Sequence, residues 1–247
     1  MRHIDIESWE RREQYSLYRQ FDQPHFNMCV NVDVTTFYAE LKKQGVTFTS
    51  GVLYVLARAA NDIPSFRCRI RGDGVVEHDV VHPATSVLSD DEFLGFCSLR
   101  YTTDFDSFAA AATETLALAK QRPSLKGEPG RDDVLYTTSI PWVSFTSFAH
   151  PMHFHPADSV PRMAWGKRFQ ESGRLKMPLS VQGHHALMDG VHMGRYYEKV
   201  QWYLTEPGCI SLRAKATGSV EHHSLTELVQ LLRTSVPTAP RQCELPN

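Results

Sequence analysis

Residues 181–192 read VQGHHALMDGVH, two adjacent histidines followed by an aspartate and a glycine. Histidine has a free pKa near 6.5 and is the natural general base at neutral pH. The run PLSVQ at 178–182 alternates as a strand does, and Met193, Tyr197, Val200 and Leu204 recur at helical spacing. His184 and His185 therefore stand in a strand-to-helix connection, a place where α/β enzymes display reactive side chains. Spacing alone leaves two readings open: one histidine is a base, or both are half-buried and satisfied by packing. Asp189 need not touch either ring and could instead fix the connection through a buried ion pair.

Two further groups could do chemistry. In PWVSFTSF at 141–148, Val143, Phe145 and Ser147 share one face of an alternating run. A hydroxyl at its end could donate to a developing oxyanion. The pattern G-x-S-x-G is absent, which argues against a serine nucleophile. His150, His153 and His155 lie in AHPMHFHPAD, where Pro151 and Pro156 make the stretch irregular. Zinc needs three or four ligands in fixed geometry, so a histidine loop facing solvent or a pocket is the preferred reading and no metal is expected. Neither a G-x-G-x-x-G nor a G-x-x-x-x-G-K loop is present, which leaves kinase and dehydrogenase readings unsupported.

The elements that must position these residues alternate between helix and strand, which favours a single α/β or α+β layered domain. Helices are predicted at 9–20 and 36–44, after Ser50 as N-cap up to Pro64, and from Asp104 through the amphipathic FAAAATETLALAK. A strand is predicted at 26–34, and RGDGVV at 71–76 has the chemistry of a tight hairpin turn. With 247 residues, 42% of them hydrophobic, the chain is long enough for one sizeable core. A formal charge of −2 gives no basic excess for nucleic acid or an anionic membrane. The start MRHIDIESWERREQ lacks the apolar region of a signal peptide, and GVLYVLA at 51–57 is too short to span a bilayer. Five dispersed cysteines without a C-x-x-C pair fit reduced thiols, so a soluble, cytoplasmic protein is expected. The domain is placed at 1–206. Residues 207–247 read as a C-terminal extension, partly helical near 224–233.

MPLSVQGHHALMDGVHMGRYYEKVQ and IPWVSFTSF resemble the two signature segments of the trimeric chloramphenicol acetyltransferases. WERREQYSLYRQF, VDVTTF and PSFRCRIRGDGVVEHDVVHP are similar to that family in the same order, so the resemblance covers roughly 4–205. It implies a two-layer α/β sandwich, a mixed sheet covered by helices and extended across a trimer interface. It implies an O-acetyltransferase using acetyl-CoA, with His185 as general base, Ser147 on the oxyanion, and Asp189 paired with Arg19. Phe26 and Phe93 fall at acceptor-pocket positions, in a site built between the subunits of a homotrimer.

The segment 149–165 departs from the family in being less apolar, with Asp158 and Arg162, and Ala164 stands where the family has a site threonine. Arg168 replaces a tyrosine near the CoA entrance. These departures keep two acceptors open: chloramphenicol, or another small and more polar alcohol. A non-catalytic relative binding acyl-CoA or a partner protein is the alternative from another class. Retention of His185, Asp189, Arg19 and Ser147 together argues against it.

Overall fold

A computed structural model describes residues 1–210 except Pro129 and Phe154. The helix expected near 224–233, like the rest of the extension after 210, lies outside the described residues. In chain order the first elements are β1 (Arg2–Ile4), α1 (Arg12–Tyr18), β2 (His25–Asp33), α2 (Thr35–Gln44) and α3 (Phe48–Asn61). A short helical turn α4 (Pro64–Arg67) leads into the hairpin β3 (Cys68–Arg71) and β4 (Gly74–Glu77). Then come β5 (His82–Leu88), β6 (Leu94–Ser98), α5 (Phe105–Gln121) and β7 (Val134–Ile140). The last are β8 (Arg162–Gly166), β9 (Phe169–Glu171), β10 (Arg174–His184) and α6 (Gly190–Thr205).

Two caps explain two helix starts. Asp104 accepts from the Ser107 amide at 2.8 Å and starts α5 as expected. At α3 the cap is Thr47, not Ser50: the extended backbone of Thr47 lets its hydroxyl accept from the Ser50 amide at 3.2 Å. Ser50 is thus already inside the first turn, where its own side chain has no orphan amide to meet. At the β3–β4 turn Gly72 takes φ +59°, a left-handed conformation that glycine adopts without steric cost.

The main sheet has the order β2-β10-β8-β7-β5-β6, with β9 added on β10. It is mixed: β5 with β7 and β7 with β8 run parallel, the other pairs antiparallel. Period-two alternation along β10 divides its side chains between two environments. Met177, Leu179 and Val181 are buried in the core with Leu53 and Leu56 of α3, Phe108 of α5 and Met193, Tyr196 and Val200 of α6. Ser180, Gln182 and His184 face the other way, in register with Cys29, Asn27 and His25 of β2. A second, small sheet β1-β4-β3 packs a satellite core in which Tyr15 of α1 meets Cys68, Val75, Ala186 and Leu187. That satellite core brings α1 against the connection carrying the two histidines.

Candidate active site

β10 ends at His184, and the chain turns back at once: the Leu187 and Met188 amides donate to the His184 carbonyl at 2.9 and 3.1 Å. Gly183 packs closely at this turn: a Cβ there would lie 2.3 Å from Met188 Sδ and 2.9 Å from Met193 Cε, so the two methionine side chains would have to shift. Two residues beyond His185 the main chain is already packed in the satellite core through Leu187.

The histidines differ sharply. His184 is 1% exposed, its Nδ1 accepts from the Ala186 amide at 3.2 Å, and its ring meets His25 edge-on at 5.0 Å. Burial, reinforced by the neighbouring His25, pushes its pKa down to about 4, so at neutral pH it is an uncharged packing group. His185 is only partly buried. Its amide donates to the Pro24 carbonyl at 2.8 Å. Its ring is stacked on Tyr18 with centroids 3.9 Å apart and planes 5° apart, and Phe26 lies against it at 4.7 Å and 39°. Its Nδ1 is buried without a hydrogen-bond partner among the described residues.

Asp189 is the N-cap of α6 and is held from two sides. Arg11 Nη1 donates to Oδ2 at 2.8 Å, and His192 Nδ1 lies 2.8 Å from Oδ1. Burial alone would raise the Asp189 pKa, but the hydrogen bonds from Arg11 and then His192 outweigh it and hold the carboxyl at about 2. Arg11 also donates through Nη2 to the His185 carbonyl at 3.3 Å, so one guanidinium ties His185 to Asp189.

This corrects the pairing of Asp189 with Arg19. Arg11, Tyr15 and Tyr18 recur at steps of four and three and fall on one helical stripe. Arg19, one residue further, turns about 100° away from it. It pairs with Asp73 in the β3–β4 turn and lies 5.1 Å over the Tyr15 ring.

The segment 141–148 is also corrected: it is irregular, not a strand, and β7 ends before it at Ile140. It lies along the polar face of β10. The Val143 carbonyl accepts from the Lys167 amide at 2.9 Å, the Phe148 carbonyl from Ser180 Oγ at 2.8 Å, and the His150 amide donates to Gln182 Oε1 at 3.1 Å. Ser147 is therefore held beside Ser180 and is exposed. Ser180 and His184, the last residue of β10, are four strand steps apart, roughly 13 Å. Within one chain the hydroxyl and the imidazole make no contact among the described residues. Phe93 is 67% exposed at the β5–β6 turn. From β10 to β6 is four strand spacings, about 19 Å, so one chain does not bring Phe93 to His185 either. Phe26 is the one expected pocket residue that does touch the His185 ring.

The rest of 149–165 is more neutral than its sequence reads. Arg162 is 7% exposed, paired with Asp158 and stacked over Tyr136 at 5.1 Å, so its charge is compensated inside the chain. His153 and His155 are exposed and His150 is half-buried. Among the described residues no group of three or more His, Cys, Asp or Glu is placed to hold a metal ion. Arg168 is a different case. Its guanidinium is clamped between the Tyr38 and Phe48 rings at 4.3 and 4.2 Å, with no carboxylate partner among the described residues. Tyr18, His192 and Arg11 were not singled out from sequence. Only the 11/15/18 spacing could have pointed to the first and last.

The sequence model of the chloramphenicol acetyltransferase family matches residues 1–201. The chain belongs to this family. As a member of the chloramphenicol acetyltransferase family it is an acyltransferase, and its fold agrees. A solved chloramphenicol acetyltransferase superposes with a TM-score of 0.73 at 29% identity, covering 81% of this chain and 98% of that one. Chloramphenicol acetyltransferases of Klebsiella sp and Escherichia coli are each 30% identical over 205 residues, 82% of this chain and 93% of theirs. The cubic core of a pyruvate dehydrogenase multienzyme complex shares the fold at a TM-score of 0.59 and 20% identity, covering 76% of this chain and 84% of that one.

Proposed function

We propose that the protein transfers the acetyl group of acetyl-CoA to a hydroxyl of chloramphenicol, with His185 as general base. The observation that carries this reading is the His185 imidazole, clamped between two aromatic rings and tied through Arg11 to Asp189. His185 Nε2 takes the proton of the acceptor hydroxyl as that oxygen bonds to the thioester carbonyl carbon. The Ser147 hydroxyl donates to the oxygen on which negative charge develops. When the carbon–sulfur bond breaks, His185 returns the proton to the leaving sulfur, which yields an O-acetyl ester and a CoA thiol. His184, uncharged at neutral pH, does not compete for the proton.

The site is assembled between copies of the chain in a homotrimer. This accounts for Ser147 and Phe93, neither of which contacts the His185 ring within one chain among the described residues. In support, Phe93, Leu94 and Phe96 are 67%, 50% and 52% exposed, a patch that a neighbouring copy would cover. For the cosubstrate, Arg168 is a cation oriented by two rings and without a carboxylate partner among the described residues, which fits a phosphate group of CoA. Arg168→Ala should raise KM for acetyl-CoA several-fold with kcat nearly unchanged. An unaltered KM would remove Arg168 from the binding site.

The Arg162–Asp158 pair favours chloramphenicol over an anionic acceptor, because the cation is already neutralised and needs no charge from the substrate. The test is thiol release from acetyl-CoA with and without chloramphenicol, on the wild type and His185→Ala. Chloramphenicol-dependent release that the variant loses supports the reading. Near-normal release in the variant would eliminate the base, and release with other alcohols only would move the acceptor to a different small hydroxyl compound.

A further inference from the structure

Asp189 is gripped at both carboxylate oxygens, and the grip on Oδ1 decides where a proton sits. The Val191 amide donates to Oδ1 at 3.2 Å as the cap of α6, and His192 Nδ1 stands 2.8 Å from the same oxygen. Nδ1 also lies 3.2 Å from the Asp189 amide nitrogen. An imidazole nitrogen either carries a hydrogen and donates or is bare and accepts, so only one of these two contacts is a hydrogen bond at a time. With a pKa of about 2 the Asp189 carboxyl is ionised at neutral pH and can only accept. A bare Nδ1 would set one lone pair against another at 2.8 Å. The shorter, charge-assisted contact therefore prevails, and Nδ1 bears the hydrogen.

The grip reaches further through Arg11. Its Nη1 donates to Asp189 Oδ2 and its Nη2 to the His185 carbonyl, while Nε is buried with no partner among the described residues. The guanidinium thus takes its place from Asp189 and the His185 main chain. With His192 on Oδ1 the carboxylate cannot turn, so Oδ2 stays on Arg11 and Arg11 stays on the His185 carbonyl.

We infer that His192 is a positioning residue for the base, acting from the first turn of α6 through Asp189 and Arg11 on the main chain of His185. This rests on the proposed acetyl transfer. Its contribution is geometric: a displaced base lowers kcat and leaves substrate binding largely intact. The ring needs only an N–H at the Nδ1 position, which the side-chain amide of asparagine also supplies.

The test uses the full-length protein as His192→Ala, His192→Asn, Arg11→Ala and the double variant His192→Ala/Arg11→Ala. For each, kcat and both KM values are measured below the melting transition. His192→Ala should lose kcat roughly tenfold with both KM values nearly unchanged, and His192→Asn should regain most of that loss. Once Arg11 is gone the relay is already broken, so His192→Ala should then cost less than about twofold more. A second readout needs no variant: nitrogen–proton NMR of the wild type should place the His192 proton on Nδ1. The inference is overturned by a bare Nδ1, by a His192→Ala variant with wild-type kcat, by an Asn variant as impaired as the Ala variant, or by equal losses with and without Arg11. A wild type that does not transfer acetyl from acetyl-CoA overturns the functional reading, and the NMR then shows separately whether His192 donates to Asp189.

Discussion

At the scale of single residues, the H-x-x-x-D-G run was legible because its chemistry and its spacing are local. The partner of Asp189 was not, since two arginines sit on the same short helix and only rotation about its axis separates them. Arg11→Ala should therefore lower activity and stability together. The stability loss should be about 2 kcal/mol, below the 3–5 of a wholly buried pair, because Asp189 remains 32% exposed. Arg19→Ala removes a contact to the almost fully exposed Asp73 and should change melting and turnover little. Paired thermal melts and rate assays decide, and equal losses in the two variants would contradict the assignment. His184 gives a second prediction. Its folded pKa, about 4, lies below the ordinary 6.5, so protons bind preferentially to the unfolded chain. The stabilisation is complete above about pH 6.5 and is lost as the pH falls towards 4, by at most about 3 kcal/mol. Melting temperature should drop over that window in the wild type and drop less in His184→Gln. Parallel curves would show that His184 is not the titrating group.

At the scale of elements, most helices and strands were legible from periodicity, and the misreading at 141–148 has a physical cause. Of the residues expected on one face, only Phe145 is partly buried; Val143 and Ser147 are exposed, and the other partly buried residue is Phe148. The segment's hydrogen bonds go to the side chains of Ser180 and Gln182 and to the Lys167 amide instead of forming a ladder. Gly166 is what admits the segment: a Cβ there would lie 2.8 Å from the Val143 carbonyl oxygen and 3.0 Å from the Phe145 ring. Because one of those atoms is backbone, Gly166→Ala should push the segment bearing Ser147 off the sheet. Turnover should fall roughly tenfold or more with only about 1–3 kcal/mol lost in stability. A Gly166→Ala enzyme with wild-type turnover would mean that the position of Ser147 does not matter to the rate.

At the scale of the whole molecule, the proposed chemistry calls on residues that one chain does not bring into contact. α1 and the end of β10 hold His185, while Ser147 lies on the segment laid over Ser180 and Phe93 at the β5–β6 turn, set apart from the His185 ring with no contact to it among the described residues. That distance was not readable from a linear sequence, where Ser147 and His185 sit on consecutive stretches of the same domain. It makes the shared site the central claim, and one measurement tests it most directly. His185→Ala and Ser147→Ala chains are each purified alone, then unfolded together and refolded as a mixture, and chloramphenicol-dependent thiol release is assayed. Each parent should be nearly inactive, with losses of about 100-fold or more. The mixture should recover roughly a quarter of wild-type activity, from interfaces that pair an intact His185 with an intact Ser147. A mixture as inactive as its parents, while refolded wild type regains activity, would contradict the account.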